Sequence, residues 1–521
     1  MPGSGTGAAG PELLVELDRS ATRTLRAQLE DGLRGAVHAG RLAPGAAMPS
    51  SRAMARDLDV SRRLVVDAYA QLVAEGYLAT RPGAGTFVAG TAGGAVSTGG
   101  PLASGGAVAP RGPAVSGGSA VAGVPATTGR TRSATVPPAP PRFDLFPGRP
   151  DLSAFPRAAW TRALRDVLRA LPDHRLGYPD PAGVPELRGV LADYLARARG
   201  VVAGPERIVV TSGAVQGLAL LARALAAGGP AVVAVEDPSL PDHRRALEHA
   251  GVRIRPVPVD DDGVWVDGLG DATAALVTPA HQMPTGVALS QERRAAIVSW
   301  ARSGGLVIED DYDAEFRYDR PPLAALQGLA PDDVVHVGSV SKTLAPALRL
   351  GWLVLPHRLV APVVGEKLLD DMGGDALSQL TLARLVETGG YDRHLRTLRR
   401  RHRARRDALT AALARHLPQA RVLGVAAGLH ATVALPRPID PLALDAALAE
   451  RSVRVYGMTP RSLLVGYAAH PAPALDEAVR RLADALAEVG GATYPNARAI
   501  ARPAVRPLNM HPPTKVPSSE L

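Results

Sequence analysis

Two hydroxyls, an amine and a guanidinium fall close together in the stretch 338–352, GSVSKTLAPALRLGW: Ser339, Ser341, Lys342 and, seven residues after the lysine, Arg349. The apolar run Val334, Val335, His336 and Val337 before them reads as a short buried strand. The group therefore lies at a strand's C-terminal mouth, where open α/β sheets bind ligands. A lysine there is reachable by a ligand yet partly desolvated, which lowers the ammonium pKa and frees an amine able to form a Schiff base with an aldehyde. Hydroxyls and a guanidinium beside it suit a phosphate. Upstream, GLVIEDDY at 305–312 reads as a second buried strand ending in Asp310, Asp311 and Tyr312, with Asp310 thirty-two residues before Lys342. A third, Ile208-Val209-Val210, runs into Thr211-Ser212-Gly213-Ala214-Val215-Gln216 and an apolar helix. Backbone N–H groups at such a helix start bind phosphate without needing a particular side chain.

Each motif alone is weak, since a lone SxSK is usually a turn with a solvated lysine and a lone DDY a solvated strand end. Together, in this order and spacing, the three resemble the fold-type I pyridoxal phosphate (PLP) proteins, the aspartate aminotransferase superfamily. The resemblance implies PLP as cofactor, with Lys342 as its Schiff-base lysine and Asp310 pairing with the pyridinium nitrogen so that the ring can act as an electron sink. It further implies Tyr312 on the phenolic oxygen, and Arg349, Ser339, Ser341, Ser212, Gly213 and Ala214 around the phosphate. The stretch LGYPDPAG at 176–183 resembles the family loop whose tyrosine, here Tyr178, reaches the phosphate held by the other subunit, which implies a homodimer.

Three departures from a working transaminase stand out. HQMPTG at 281–286 replaces HNPTG, so Met283 stands for the asparagine on the phenolic oxygen; Leu240 stands where an aromatic ring stacks on pyridoxal. In SLLVGYA at 462–468, Leu464 occupies the place of the substrate-carboxylate arginine, and an alkyl chain cannot give its bidentate grip. Arg461, three residues earlier, is the alternative anchor, against its plainer reading as an exposed loop arginine. These changes count against full transamination.

The elements ahead of this region form a different module. From Thr24 to Ala39, Leu25, Leu29, Leu33 and Val37 recur at helical spacing. A short helix from Ser51 to Leu58 and a tight connection at Asp59-Val60 lead to a helix from Ser61 to Glu75, with Ser61 as N-cap and Leu64, Val65, Ala68, Tyr69 and Leu72 as its buried stripe. Gly76–Thr80 and Thr86–Val88 read as a two-stranded wing around a glycine-rich tip. This order places Arg62 and Arg63 as a helix-turn-helix presents reading residues to a major groove. The run from Met48 to Val88 resembles the GntR-type winged helix-turn-helix, and Arg52, Ser61, Arg62, Arg63 and Gly83 fall on that family's DNA-contacting places. Leu64 and Val66 depart from its pattern and leave the operator open.

Composition bounds the rest. The 521 residues suffice for several domains, and 59 Lys+Arg against 50 Asp+Glu give a net charge of +9, which permits a polyanionic partner. There is no cysteine, so no disulfide or thiolate metal site can form. The 13 histidines show no ligand spacing, and no metal is expected. No apolar stretch is long enough to span a membrane and no signal-peptide pattern opens the chain, so a soluble cytoplasmic protein is expected. Gly, Ala, Pro, Ser, Thr and Val dominate 91–141, which reads as a flexible linker; roughly fifty such residues reach about 35 to 40 Å. The arginine-rich run 391–406 reads as a mostly solvated helix with Leu395, Leu398 and His402 on its buried face.

The expected organisation is multidomain: a disordered tail (1–12), a small α+β winged helix-turn-helix (13–90), the linker (91–141), an α/β fold-type I aminotransferase-like domain (142–490) and a second tail (491–521). Such an order resembles the MocR/GabR family of bacterial transcription regulators. That resemblance implies a head-to-tail homodimer on an operator in double-stranded DNA, with each head on the partner's large domain and PLP or an amine or amino-acid effector biasing the heads. The alternative is a PLP-dependent aminotransferase with an accessory DNA-binding head.

Overall fold

In the computed structural model, residues 17–21, 23–38, 41–81, 85–89, 140–319 and 322–490 are described. Gly83 at the wing tip, both expected tails and nearly all of the expected linker lie outside the described residues.

The head is built as the apolar spacing requires. Helices α1 (Leu25–His38), α2 (Ser51–Asp57) and α3 (Arg62–Glu75) enclose Leu29, Leu33, Met54, Val65, Ala68 and Leu72. Ser61 caps α3, its side chain accepting from the Leu64 N–H at 3.2 Å, and Ser50 does the same for α2. Strands β1 (Leu78–Arg81) and β2 (Gly85–Val88) pair antiparallel as the wing, and Arg81 lies over the Phe87 ring at 5.0 Å.

The body is organised by an eight-stranded sheet: β3 (Ile208–Thr211), β4 (Val232–Asp237), β5 (Arg253–Asp260), β6 (Gly263–Val264), β7 (Ala274–Val277), β8 (Leu306–Asp310), β9 (Val334–Ser339) and β10 (Gly351–Val354). Its order is β3-β10-β9-β8-β7-β4-β5-β6. The central β9-β8-β7-β4-β5 run is parallel, while β10 lies antiparallel to both β9 and β3. Both faces are covered. Leu306 and Ile308 of β8 join one core with Leu276 and Val337, whereas Val307 joins the other with Val277, Val334 and Leu326. That alternation decides where the strand's carboxylates go, because side chains of successive residues point to opposite faces.

Beyond the sheet, α4 (Ala214–Ala227) leaves β3, α5 (Gln291–Arg302) packs Ile297, Val298 and Ala301 on the Val307 face, and α6 (Gly390–His416) crosses to the C-terminal lobe. The lobe is a four-stranded antiparallel sheet of β11 (Arg421–Leu423), β12 (His430–Ala434), β13 (Tyr456–Thr459) and β14 (Ser462–Gly466), in the order β11-β12-β14-β13. Leu395, Leu398 and His402 are the buried face of α6 as expected; Arg405 is buried too, paired with Asp151 at 2.9 Å, while Arg393, Arg396, Arg400 and Arg403 are exposed. Among the described residues no helix is long and apolar enough to cross a membrane, and no cluster of His, Cys, Asp and Glu could hold a metal ion.

Candidate functional site

The sheet brings the three strand-end motifs to one edge. Lys342 follows β9 by a short turn, and its Nζ donates to the Gly148 carbonyl at 2.7 Å. Burial pushes its ammonium below the usual lysine range, against the pull of Asp313 and Asp310. Ser339 and Ser341 stand at the same strand end, partly buried. Asp310 closes β8, buried, with its Oδ2 lacking a hydrogen-bond partner and the His243 Nδ1 3.4 Å away. Burial first, and then Asp311 and Asp313, raise its carboxyl to about 7; burial lowers His243 to about 4.

Tyr312 turns its hydroxyl to His281 Nδ1 at 3.1 Å, and the same nitrogen lies 2.9 Å from Asp313 Oδ2. On the other side of Lys342's strand, Arg349 adopts a left-handed backbone (φ 49) and donates from Nη2 to the Ser212 carbonyl. Gly213 makes this approach possible: it has φ +95, and a Cβ there would fall 2.8 Å from Arg349 Nη2. Ala214 then opens α4, whose first-turn N–H groups have no intrahelical acceptor. An orphaned buried carboxyl oxygen, an amine of lowered pKa and a guanidinium beside a helix start are the donor set that a pyridine nitrogen, an aldehyde and a phosphate require. PLP fits these residues. Tyr178, in contrast, is 83% exposed and takes no part in this network. Leu464 is buried on β14, Met283 is buried after β7, and Leu240 lies partly buried at the start of the helix that carries His243.

The sequence reading missed several partners. His243 follows Leu240 by three residues and was findable only once that loop was placed beside β8. The His281–Asp313 pair spans 32 residues, and nothing local to either residue signals it. Most consequential is the opposite face of β8. Glu309 accepts from the Leu326 and Gln327 N–H groups at 2.9 and 3.1 Å. Asp311 holds Arg199 through two bonds of 2.6 and 3.0 Å, and Arg199 donates to the Leu323 carbonyl at 2.7 Å.

The segment so held carries the head. Gln71 of α3 donates to the Pro322 carbonyl at 3.1 Å, and Arg294 of α5 bridges the Ala324 and Glu75 carbonyls at 2.7 and 3.3 Å. Gln291 donates to the Leu78 carbonyl at 3.0 Å. Glu75, fully buried, is matched by Arg34 at 2.8 and 2.9 Å and by Gln71 at 2.7 Å. Packing is close: a Cβ on Gly328 would lie 2.8 Å from the Tyr77 hydroxyl. In the single chain the head thus rests on its own body, whereas the resemblance implies a partner's. At the other end of α3, Arg62 and Arg63 are exposed, as are Ser61 and, on α2, Arg52. Arg62 Nε reaches Ser51 Oγ at 3.4 Å, and Arg63 is 92% exposed with Asp67 at 3.9 Å.

Comparison with known proteins agrees with both halves. Residues 150–482 match the family model described as aminotransferase class I and II, and residues 25–88 match that of bacterial regulatory proteins, gntR family. The HTH-type pyridoxine biosynthesis transcriptional regulator PdxR of Corynebacterium glutamicum is 33% identical, over 91% of this chain and 99% of that protein. The probable rhizopine catabolism regulatory protein MocR of Rhizobium meliloti is 32% identical, over 78% of this chain and 80% of that protein. Among solved structures, an archaeal alanine:glyoxylate aminotransferase superposes with a TM-score of 0.61 at 27% identity, covering 66% of this chain and 91% of its own. The chain belongs to the MocR-type transcription regulators, in which a gntR-family helix-turn-helix head is joined to an aminotransferase-like body.

Proposed function

We propose that this regulator holds PLP at Lys342 and binds its operator according to what occupies that pocket. When bound, PLP supplies an aldehyde that condenses with an amine and a ring that draws electrons toward its nitrogen. Lys342 offers the amine, and Asp310 the carboxylate for the ring nitrogen, with His243 behind it. Tyr312 is oriented toward the phenolic oxygen by His281 and Asp313. Arg349 with the Ser212–Ala214 turn, Ser339 and Ser341 holds the phosphate. Tyr178 would complete the phosphate site of a second copy, and in such a homodimer the same face of the partner's body can receive the head.

The observation that carries the reading is β8 itself. Asp310 faces the pocket, while Glu309 and Asp311 on the opposite face hold the 323–327 backbone on which the head docks. A change in charge at Asp310 therefore acts on a strand whose neighbouring carboxylates anchor the DNA-binding module, the two-site arrangement that allosteric coupling requires. Leu464 withholds the carboxylate anchor that a transaminase uses to hold an amino acid, and Leu240 and Met283 withhold two of its contacts to the cofactor ring, which favours sensing over turnover.

The test pairs cofactor loading with DNA binding. PLP should give a visible absorbance, and borohydride should fix the label on Lys342. Operator affinity, measured by gel shift at fixed salt, should differ between loaded and unloaded protein. A Lys342→Ala variant that still gave the reducible adduct, or a loaded protein with unchanged operator affinity, would remove the reading.

A further inference from the structure

A histidine to which the proposed cofactor site gives no role packs against His281, the residue that meets the Tyr312 hydroxyl. His430 opens β12 and, by the register His430↔Gly466 and Thr432↔Leu464, shares a face with Leu464 one step along the neighbouring strand. Its ring stacks on His281 at 4.9 Å and 25°. His281 is in turn fixed by Asp313 and the Tyr312 hydroxyl. His430 is buried, and neither of its ring nitrogens has a hydrogen-bond partner. Leaving both unpaired in a buried site is costly, so the arrangement calls for a ligand. His402 shares this lack, but it packs on Phe316 in the apolar core and the titratable groups that bear on it are Arg405, Asp151, Arg401 and His394. For His430 they are His281 and Lys342.

Burial above all, with His281 and Lys342 adding to it, holds the His430 imidazole well below the usual histidine range, so the ring is neutral near pH 7 and offers one donor and one acceptor. A carboxylate needs donors alone, and here it would meet the alkyl chain of Leu464 where a guanidinium would serve it. A hydroxyl or carboxamide needs one of each.

We propose that His430 reads the effector in this pocket, and that the effector is a small primary amine whose far end is an uncharged group that both donates and accepts a hydrogen bond. This rests on the reading of the Lys342 pocket as the PLP site. The role is one of recognition, with the His281–Asp313 pair setting the plane of the His430 ring.

The experiment uses the full-length PLP-loaded protein titrated with 3-aminopropanol and with β-alanine, amines of equal carbon count that differ in the tail, followed by the visible spectrum. Half-saturation by 3-aminopropanol should come at a concentration about tenfold lower than by β-alanine, the worth of one neutral hydrogen bond. His430→Phe, which keeps the stack on His281, should load PLP like the parent and lose the preference; His430→Gln, with a donor and an acceptor, should keep most of it. The proposal is overturned if His430→Phe loads PLP and keeps the preference, if the loaded parent prefers β-alanine, or if its spectrum answers to neither amine. A parent that takes up no PLP would instead bring down the cofactor reading beneath it.

Discussion

Replacing Asp310 with asparagine separates what a buried carboxylate costs the fold from what it gives the cofactor. Burial, helped by Asp311 and Asp313, moves its carboxyl from the ordinary 3.8 up to about 7, with Lys342 and His336 offsetting only part of this. His243, 3.4 Å away, is neutral across most of that range because burial lowers it to about 4, so it supplies no balancing charge. The folded pKa is raised above the unfolded one. The folded chain therefore keeps a proton that the unfolded chain releases above about pH 4, and stability falls as pH rises from about 4 to about 7. A rise from 3.8 to about 7 corresponds to about 4 kcal/mol once the group is ionised in both states, of which about 2 to 3 kcal/mol accrues between about pH 5 and pH 8. Asparagine fills nearly the same volume and never ionises. PLP-free Asp310→Asn should thus be more stable than the parent, by a margin that widens by about 2 to 3 kcal/mol from about pH 5 to pH 8 and levels off above it. Its PLP affinity should drop about 10- to 100-fold, because a charge-assisted hydrogen bond contributes about 1.5 to 3 kcal/mol. Urea unfolding at both pH values, with PLP titration at the higher one, measures both. A margin that is independent of pH, or that narrows as pH rises, would refute the account of Asp310 as an unpaired buried acid.

Three further outcomes are expected. Arg62→Ala should cost about 1 to 3 kcal/mol of operator affinity and relax sequence preference, while Arg52→Ala should weaken binding much more; parent-like gel shifts for both would remove these residues from the reading surface. Arg199→Leu leaves Asp311 buried and unmatched, and should cost about 3 to 5 kcal/mol of stability that Arg199→Leu with Asp311→Leu largely recovers; a single-variant loss under about 1 kcal/mol would show that the pair does not hold the 323–327 segment. Mixed with amino acids and a 2-oxo acid, the loaded protein should give no sustained transamination; turnover at the roughly 1 to 1,000 per second of ordinary enzymes would restore the aminotransferase alternative.

What could be read from the sequence was what local pattern encodes. β3, β8 and β9 are apolar runs bounded by polar or charged residues, and Ser61 before an apolar-periodic run announces α3; all four were recovered within a residue or two. β5 was not, because Pro256 and Pro258 argue against a strand. They are tolerated because β5 pairs with β4 on one side and only with the two-residue β6 on the other. β10 follows Arg349 by a single residue with no turn signal to set it apart. The unread part of the site consists of pairs made across the chain: Arg199 with Asp311 spans 112 residues and Arg294 with Glu75 spans 219. Such contacts depend on topology, and each residue taken alone looks like an ordinary surface charge.

One helix spans from the dock to the arginines proposed to read DNA, with a mechanical consequence. Helix α3 is gripped at its C-terminal end, where Gln71 and the Glu75 carbonyl meet Pro322 and Arg294, and it presents Arg62 and Arg63 at its N-terminal end. Its 14 residues make a lever arm of roughly 20 Å. A tilt of about 5° at the dock therefore swings Arg62 by about 2 Å, more than the tolerance of a hydrogen bond to a base edge. On the proposed reading of Arg62 as a base contact, displacements at the body too small to alter its packing would thus be magnified into the difference between reading a base pair and missing it.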